Sequence, residues 1–227
     1  MTYRYFSAAS LLILSFSFAL AQGAPLSLAP PKGLPQTAKP ATPKPGIDGQ
    51  ESIQRANAYL NASPTMIADF VQLTADNKRL EGKLSLQRPG KMRFEYARPA
   101  TIDVVSDGRS VAIRDTRLKT QDLLLIGETP LKFLTKDKID LARDAKVLDV
   151  RVEGNSVSIL VEDRATFGGT SRIKLIFDTG SFALKQWTVT DPQGSQTVVS
   201  LFNVDFNKKP DPALFKINEE RLINTDR

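Results

Sequence analysis

Cysteine and histidine, the residue types most often found in nucleophilic and metal sites, do not occur in this chain of 227 residues. The chain therefore has no Ser-His-Asp or Cys-His site, no zinc thiolate and no disulfide. Carboxylates remain as candidate acids and bases. However, Asp69, Asp103 and Asp107 are predicted at turns or on polar strand faces, and no pair is distinguished by its spacing. We expect a protein that is not an enzyme and that uses no cofactor and no metal.

Arg88 is the residue whose chemical surroundings are most unusual, because it ends the apolar side of a predicted strand. A guanidinium carries five N–H donors and is costly to bury without acceptors. Two interpretations are open from the residues alone. Either the side chain reaches water at the strand end, which the alternation favours, or it donates hydrogen bonds to nearby protein groups.

A β-hairpin over residues 80–96 is predicted to position Arg88. Strand side chains alternate between two faces, and here one face is apolar while the other is charged or polar. Pro89-Gly90 forms the turn, because proline presets φ and glycine accepts positive φ. The apolar face consists of Leu80, Gly82, Leu84 and Leu86 on the first strand and of Met92, Phe94 and Tyr96 on the second.

The net charge of +6 is carried largely by the N-terminal part of the chain. Arg4, Lys32, Lys39 and Lys44 account for four of these charges, so residues 48–227 carry only +2. No basic stripe with interleaved aromatic residues occurs in the sequence, which is the pattern typical of nucleic-acid-binding proteins. We therefore expect no nucleic-acid partner.

Three segments are predicted along the chain. Residues 1–21 have the pattern of a secretory signal peptide, and cleavage after Ala21 is favoured over an uncleaved anchor because the apolar run is short. Residues 22–47 hold seven prolines and are predicted to be a disordered tether, a spacer rather than a partner site. Residues 48–227 form the folded domain.

Within the domain, Asp48 is predicted to cap a helix that is stopped by residues 61–64, and from Thr65 onward the pattern is that of strands on tight turns. Among the predicted strands are Ser110 to Asp115, Lys146 to Glu153, Ser156 to Glu162 and Arg172 to Asp178. About ten antiparallel strands are expected, with a short apolar helix inserted near Thr129-Pro130. A sheet of that size curls. Because the two short helices cover only part of its concave side, that side is either filled by large side chains or left as an apolar cavity for a ligand.

The sequence resembles the periplasmic lipoprotein carrier family LolA. The resemblance spans residues from about 51 to 217 and includes the run from Gly82 to Tyr96 and the piece Val105-Ser106-Asp107-Gly108. Its most specific part is the run from Arg88 to Tyr96 followed by Ser106-Asp107-Gly108. Further matches are Phe70-Val71-Gln72, Pro99, Thr129-Pro130-Leu131, Asp191 with Gly194, and Phe202-Asn203. The chain departs from the family pattern at Phe94, where Trp is common, after Phe215, and in its proline-rich tether.

The resemblance implies a mainly β (α+β) fold, an incomplete antiparallel β-barrel of about ten to eleven strands with short helices over an apolar concave cavity. It also implies that Arg88 locks the helical lid by hydrogen bonds to helix backbone, and that acyl chains occupy the cavity. The residues predicted to contact those chains are Leu84, Leu86, Met92, Phe94, Tyr96, Val104, Leu131 and Leu134.

The function implied is that of a monomeric periplasmic carrier. It would take acylated lipoproteins from an inner-membrane lipoprotein-release ABC transporter and deliver them to an outer-membrane lipoprotein acceptor. The alternative is a periplasmic lipid-sensing regulator, or a free-lipid shuttle, with the same fold. Sigma-factor regulators of similar fold usually carry a further domain, and the sequence predicts none here.

Overall fold

The computed structural model describes residues 48–218 of the protein. The predicted signal peptide and tether, and the charged tail beyond Asn218, lie outside the described residues. None of the helices within residues 48–218 has the length and apolar character needed to cross a bilayer.

One antiparallel sheet of eleven strands forms the body of the domain. The strand order across the sheet is β6-β5-β4-β3-β2-β1-β11-β10-β9-β8-β7. The strands are β1 (Thr65–Leu73), β2 (Arg79–Gln87), β3 (Lys91–Tyr96), β4 (Ile102–Asp107), β5 (Ser110–Asp115), β6 (Thr120–Leu125), β7 (Lys146–Glu153), β8 (Ser156–Thr166), β9 (Gly169–Asp178), β10 (Leu184–Thr190) and β11 (Gln196–Asp205).

The sheet is not closed, because β6 and β7 follow each other in sequence yet form its two opposite edges. Residues 126–145 connect these edges. They contain a 3-10 helix (Ile126–Glu128) and two four-residue α-helices, α2 (Lys132–Thr135) and α3 (Leu141–Asp144). The predicted incomplete antiparallel barrel of ten to eleven strands with short helices is confirmed.

The hydrophobic core lies between the concave face of the sheet and the helices. Every strand from β1 to β5 and from β7 to β11 contributes alternate side chains to it, as the period of two requires. Helix α1 (Gly49–Leu60) adds Ala56 and Leu60, and α2 adds Phe133 and Leu134. Full burial of one large apolar side chain contributes about 1.5–3 kcal/mol, so the helices are held mainly by this packing.

Helix α1 begins where the sequence predicts. Asp48 is its N-cap, and the Asp48 carboxylate accepts a hydrogen bond of 3.4 Å from the backbone N–H of Gln50. The helix ends at Leu60, before Asn61. The capping argument therefore located both ends of the helix.

Helix α2 begins later than predicted, at Lys132 rather than at Pro130. The hydroxyl of Thr129 donates a hydrogen bond of 2.8 Å to the carbonyl of Ile126, and its N–H donates to the same oxygen at 3.2 Å. Thr129 therefore closes the preceding 3-10 helix instead of capping α2. No side chain caps α2, so its position depends on tertiary contacts.

The hairpin of β8 and β9 is longer than its predicted strands, which end at Glu162 and resume at Arg172. Strand β8 continues to Thr166 and β9 begins at Gly169. The extra residues are polar and break the apolar alternation, but their polar groups find partners: the hydroxyls of Thr166 and Ser171 lie 2.8 Å apart in a buried position.

The convex face is covered in part by the C-terminal segment. A 3-10 helix (Pro212–Phe215) lies across β3 and β4, and Phe215 is buried. Ser85 on the same face is only 8% exposed. The alternation marked this face as uniformly solvated, and that expectation was wrong here, because it takes no account of a segment more than a hundred residues away in sequence.

Candidate functional site

An apolar cavity of about 350 Å³ lies between the concave face of the sheet and residues 129–131. Its volume is within the range of small-molecule pockets in proteins. Its walls are Gln72, Phe94, Tyr96, Ile102, Val104, Val111, Ile113, Leu124, Thr129, Pro130, Leu131, Trp187, Val189, Thr197 and Val199.

The structure divides the eight predicted acyl-chain residues into two sets. Phe94, Tyr96, Val104 and Leu131 line the cavity. The remaining four are at most 2% exposed and belong to the packed core rather than to the cavity wall: Leu84, Leu86, Met92 and Leu134. The period-two pattern therefore predicted the face of each residue but not its position along the axis of the curled sheet.

Sequence reasoning missed the lining contributed by β5, β10 and β11, which includes Val111, Trp187 and Val199. The same alternation was available on those strands. A search of every strand, rather than of one hairpin, would have found them.

A larger groove, of about 690 Å³, lies where β10 and β11 separate. Lys185, Gln186, Ser200 and Asn203 contribute to its walls, and none of the predicted site residues does. The smaller cavity is the better candidate for apolar chains, because its wall holds almost no charged or amide side chains and adjoins the core.

Aromatic rings make up one wall of the cavity. The Phe70 and Phe94 rings meet edge-on at 5.0 Å, and the Phe70 and Tyr96 rings at 5.2 Å. The Tyr96 hydroxyl donates a hydrogen bond of 2.8 Å to the side-chain oxygen of Gln72. Burial raises the pKa of Tyr96, so this wall stays uncharged.

The carboxylates considered as acids or bases do not line the cavity. Asp69 binds Lys83 and Asn203 at the surface, Asp103 pairs with Arg93, and Asp107 accepts two backbone N–H bonds in the β4–β5 turn. Within residues 48–218, no cluster of acidic side chains could hold a metal ion. What the cavity itself offers a ligand is apolar surface.

The Arg88 guanidinium bridges two segments that lie next to the cavity. Its Nε donates a hydrogen bond of 2.9 Å to the Leu134 carbonyl, and one terminal nitrogen donates at 3.1 Å to the Ser63 carbonyl. The Leu134 carbonyl belongs to the last turn of α2, where helix carbonyls lack intrahelical partners. Burial lowers the pKa of Arg88, and the Asp137 carboxylate opposes that shift.

The turn after Arg88 also contacts α2. The Gly90 N–H donates a hydrogen bond of 2.7 Å to the Thr135 carbonyl. Gly90 has φ of +75°, and a side chain there would lie 2.4 Å from the Gly108 carbonyl oxygen. Glycine is therefore required for this turn to reach α2.

A second polar contact holds α2 from the opposite side. The Lys132 ammonium lies 2.8 Å from an Asp163 carboxylate oxygen, and the two side chains are 16% and 5% exposed. Asp163 also accepts a hydrogen bond of 3.0 Å from the Ala165 N–H. Sequence reasoning missed this pair, because Asp163 lies where the predicted strand had already ended.

Asn57 of α1 and Asn61, the residue just after it, bind the backbone just before and at the start of α3. The side-chain oxygens of Asn57 and Asn61 accept hydrogen bonds from the Leu141 and Ile139 N–H groups, at 3.0 and 2.9 Å. The Asn61 amide also donates at 2.8 Å to the Ile139 carbonyl. These bonds join α1 to the connection between the sheet edges, and nothing in the spacing of the asparagines predicted them.

Comparisons with known proteins agree with this geometry. The family described as outer membrane lipoprotein carrier protein LolA matches residues 61–218. An outer-membrane lipoprotein carrier protein of Legionella pneumophila (strain Lens) is 31% identical over 187 residues, which cover 78% of this chain and 91% of the relative. A protein of the same description from Nitrosospira multiformis is 26% identical over 170 residues, covering 71% and 81%.

A solved structure with a similar fold is that of a LolA superfamily protein from Nitrosomonas europaea. It covers 76% of this chain and 99% of its own, with 10% sequence identity and a TM-score of 0.44. The family match extends over most of the domain and over every residue of the cavity wall. The chain belongs to the outer-membrane lipoprotein carrier family, LolA.

Proposed function

We propose that the protein is a periplasmic carrier that holds the acyl chains of lipoproteins in the cavity beneath residues 129–131. It receives them from an inner-membrane lipoprotein-release ABC transporter and gives them to an outer-membrane lipoprotein acceptor, and it works as a monomer. The observation that carries this proposal is an apolar cavity covered by residues 129–131, which lead directly into α2, a helix that is itself held by polar contacts. The family membership agrees with it.

The driving force is burial of the acyl chain, worth about 25 cal/mol per Å² of apolar surface removed from water. No bond is made or broken. The cavity as it stands, about 350 Å³, is the closed form. Lifting α2 would withdraw Phe133 and Leu134 from the core and extend the cavity along the sheet toward Leu84, Leu86 and Met92.

In this proposal Arg88 is the lock on α2. Its two hydrogen bonds stabilise the closed, empty protein and are absent when α2 is lifted. When only a fraction of a protein is in the binding-competent state, its apparent affinity for the ligand is lowered by that fraction. The lock therefore lowers the affinity for cargo and favours its release to the acceptor.

Trp187 provides the test. It is the single tryptophan of the chain, it lines the cavity, and its ring lies 5.7 Å from that of Phe133 on α2. A triacylated peptide titrated into the empty protein should change Trp187 fluorescence with saturation, whereas the same peptide without acyl chains should not. An absence of change with the acylated peptide would contradict the proposal.

A second measurement tests the alternative function, that of a free-lipid shuttle. Mass spectrometry of lipid that co-purifies with the exported protein distinguishes the two ligands. Acylated peptides support the lipoprotein carrier, and free lipid alone supports the shuttle.

A further inference from the structure

Five of the turns between strands lie at one end of the sheet. Because every neighbouring pair is antiparallel, the connectivity places the β1–β2, β3–β4, β5–β6, β8–β9 and β10–β11 turns at this end and the other turns at the opposite end. We call these five turns the rim, and they comprise residues 74–78, 97–101, 116–119, 167–168 and 191–195.

Contacts between neighbouring turns join the rim into two groups. The Thr116 N–H donates a hydrogen bond of 2.9 Å to the Thr101 carbonyl, which joins the β5–β6 and β3–β4 turns. The β1–β2 and β10–β11 turns share the walls of one groove. Pro192 of the β10–β11 turn lies against Gly168 and Gly169 of the β8–β9 hairpin.

The cavity reaches the sheet at this same end. Among its lining residues, Gln72, Tyr96 and Ile102 lie at or within one residue of the strand ends that lead into the rim, and Val189 and Thr197 do so on the other side. The rim is therefore the part of the sheet that surrounds the cavity mouth.

Two turns of the rim each expose a large apolar side chain: Phe167 is 68% exposed and Leu118 is 57% exposed. Leu73, next to the β1–β2 turn, is 40% exposed. Within the described residues, the turns at the opposite end expose no leucine, isoleucine, valine, methionine or phenylalanine, although Leu125 and Val152, at or beside strand ends there, are 57% and 38% exposed. Exposed apolar side chains at the tips of turns are available to contact a partner surface.

Cations accompany both of these apolar residues of the rim turns. Leu118 lies between Arg117 and Lys119, which are both exposed. The hairpin that carries Phe167 bears Arg164 and Arg172, whose side chains are 72% and 62% exposed and which both pair with the Glu162 carboxylate, at 3.1 and 3.8 Å.

Carboxylates near the rim bind groups of the protein itself. Asp115 accepts hydrogen bonds of 2.8 and 3.0 Å from the Arg117 and Leu118 N–H groups. Asp191 accepts bonds of 2.9 and 2.8 Å from two N–H groups of its own turn, and Asp76 pairs with Lys78 at 2.6 Å. The exposed charged side chains beside Leu118 are thus cationic, and beside Phe167 two arginines share one carboxylate.

We propose that the rim docks on the anionic surface of a phospholipid bilayer, with Leu118 and Phe167 entering the headgroup region and the cavity mouth facing the lipid. An apolar residue flanked by cations is suited to such a surface, because burial of the side chain and attraction to lipid phosphates act together. The two apolar residues belong to separate hairpin tips, on either side of the gap in the sheet. A planar bilayer can accept two separate apolar side chains at once, whereas a protein interface usually has one contiguous apolar centre. The separation of the two residues therefore fits a bilayer better.

Co-sedimentation of the empty, exported protein with vesicles tests this inference without any cargo, so failure here leaves the proposed carrier function untouched. Vesicles of equimolar phosphatidylglycerol and phosphatidylcholine should bind the protein, and vesicles of phosphatidylcholine alone should bind it much less. Binding should fall as salt is raised, because exposed charges are screened. Equal binding to both kinds of vesicle, or none to either, would overturn the inference.

Two sets of variants locate the contact. Leu118→Ser with Phe167→Ser should lower vesicle binding about tenfold or more. Arg117→Gln and Lys119→Gln should each lower binding to anionic vesicles about fivefold. These four side chains are exposed, so the variants should fold.

The matched control is Leu123→Ser with Phe202→Ser, two residues that are 59% and 51% exposed on strands away from the rim. This control should bind vesicles as the unchanged protein does. If it loses binding as strongly as the rim variants, or if the rim variants bind normally, general surface hydrophobicity explains the result and the docking surface is wrong.

Discussion

Arg88 and Leu134, which are 46 residues apart in sequence, are joined by a hydrogen bond of 2.9 Å from the guanidinium Nε to the helix carbonyl. This bond connects a strand end of the sheet to the helix that covers the concave side. A second bond from the same guanidinium reaches Ser63, just beyond α1. One side chain thus holds two separate parts of the cover, and its removal has consequences for both.

Arg88→Leu is expected to fold, because Leu suits the apolar face and removes a charge that needs acceptors. Loss of charged hydrogen bonds worth about 1.5–3 kcal/mol each should loosen α2, leave cargo binding at least as strong, and impair release. Transfer of an acylated peptide to acceptor membranes measures release, and hydrogen exchange at residues 131–135 measures the loosening.

Arg79→Leu is the control for this experiment. Arg79 is exposed and pairs with Glu81 on the outer surface, far from α2. The Arg79→Leu variant should transfer cargo normally. Normal transfer by Arg88→Leu, with unchanged exchange in α2, would leave Arg88 as a structural contact without a role in release.

The Lys132–Asp163 pair should behave as a second lock. Asp163→Asn leaves the buried ammonium of Lys132 without its counter-charge, a change that costs about 3–5 kcal/mol in other proteins. The double variant Lys132→Met with Asp163→Leu should recover much of that loss, since neither charge remains buried. Chemical denaturation of Lys132→Met, Asp163→Leu and the double variant measures the coupling, and additive losses would show that the two side chains do not act as a pair.

Phe94→Asp should abolish binding of a triacylated peptide, because it places a carboxylate in the aromatic wall of the cavity, 5.0 Å from the position of the Phe70 ring. Glu95→Lys, at the exposed neighbouring position, should bind normally. Trp187 fluorescence reports both. Equal damage from the two changes would mean that the faces of β3 are misassigned.

Acid should weaken the contact between α3 and the segment after α2. Burial alone would raise the pKa of Asp144, but hydrogen bonds from Lys136 and from the Asp140 N–H, with the Lys136 and Arg143 charges, lower it overall. A carboxyl whose pKa is lowered in the folded state adds stability above its unfolded value of about 3.9, and this stability is lost as pH falls through the folded value. The hydrogen-exchange protection factors of residues 140–145, corrected for the intrinsic pH dependence of exchange, should therefore fall below about pH 4. Asp144→Asn should flatten that dependence, and an unchanged pH profile in this variant would assign the effect to another group.

The hairpin over residues 80–96 could be predicted in full, because alternation, a Pro-Gly turn and charged outer positions all agree there. The strands Ser110–Asp115 and Lys146–Glu153 have the predicted ends for the same reason. Local signals of this kind depend only on neighbours in sequence.

Other features depend on contacts that a local pattern does not contain. Ser85 is buried on the convex face, and Asp163 is buried where it pairs with Lys132, although both have polar side chains that predict exposure. Leu86 and Phe94 share one predicted face, yet one is core and the other lines the cavity. The difference is set by where the strands cross beneath α2, which only the tertiary structure determines.

The connection of residues 126–145 joins β6 directly to β7, so the cover of the cavity and the gap in the sheet are parts of one segment. A displacement of α2 therefore pulls on both edge strands, and a change in the distance between those edges in turn moves α2. The wall can widen along this gap while all ten pairings between neighbouring strands remain intact. In the carrier function that we propose, this arrangement would admit chains of different length and number by a change of circumference, and the empty form would regain the same perimeter after each release.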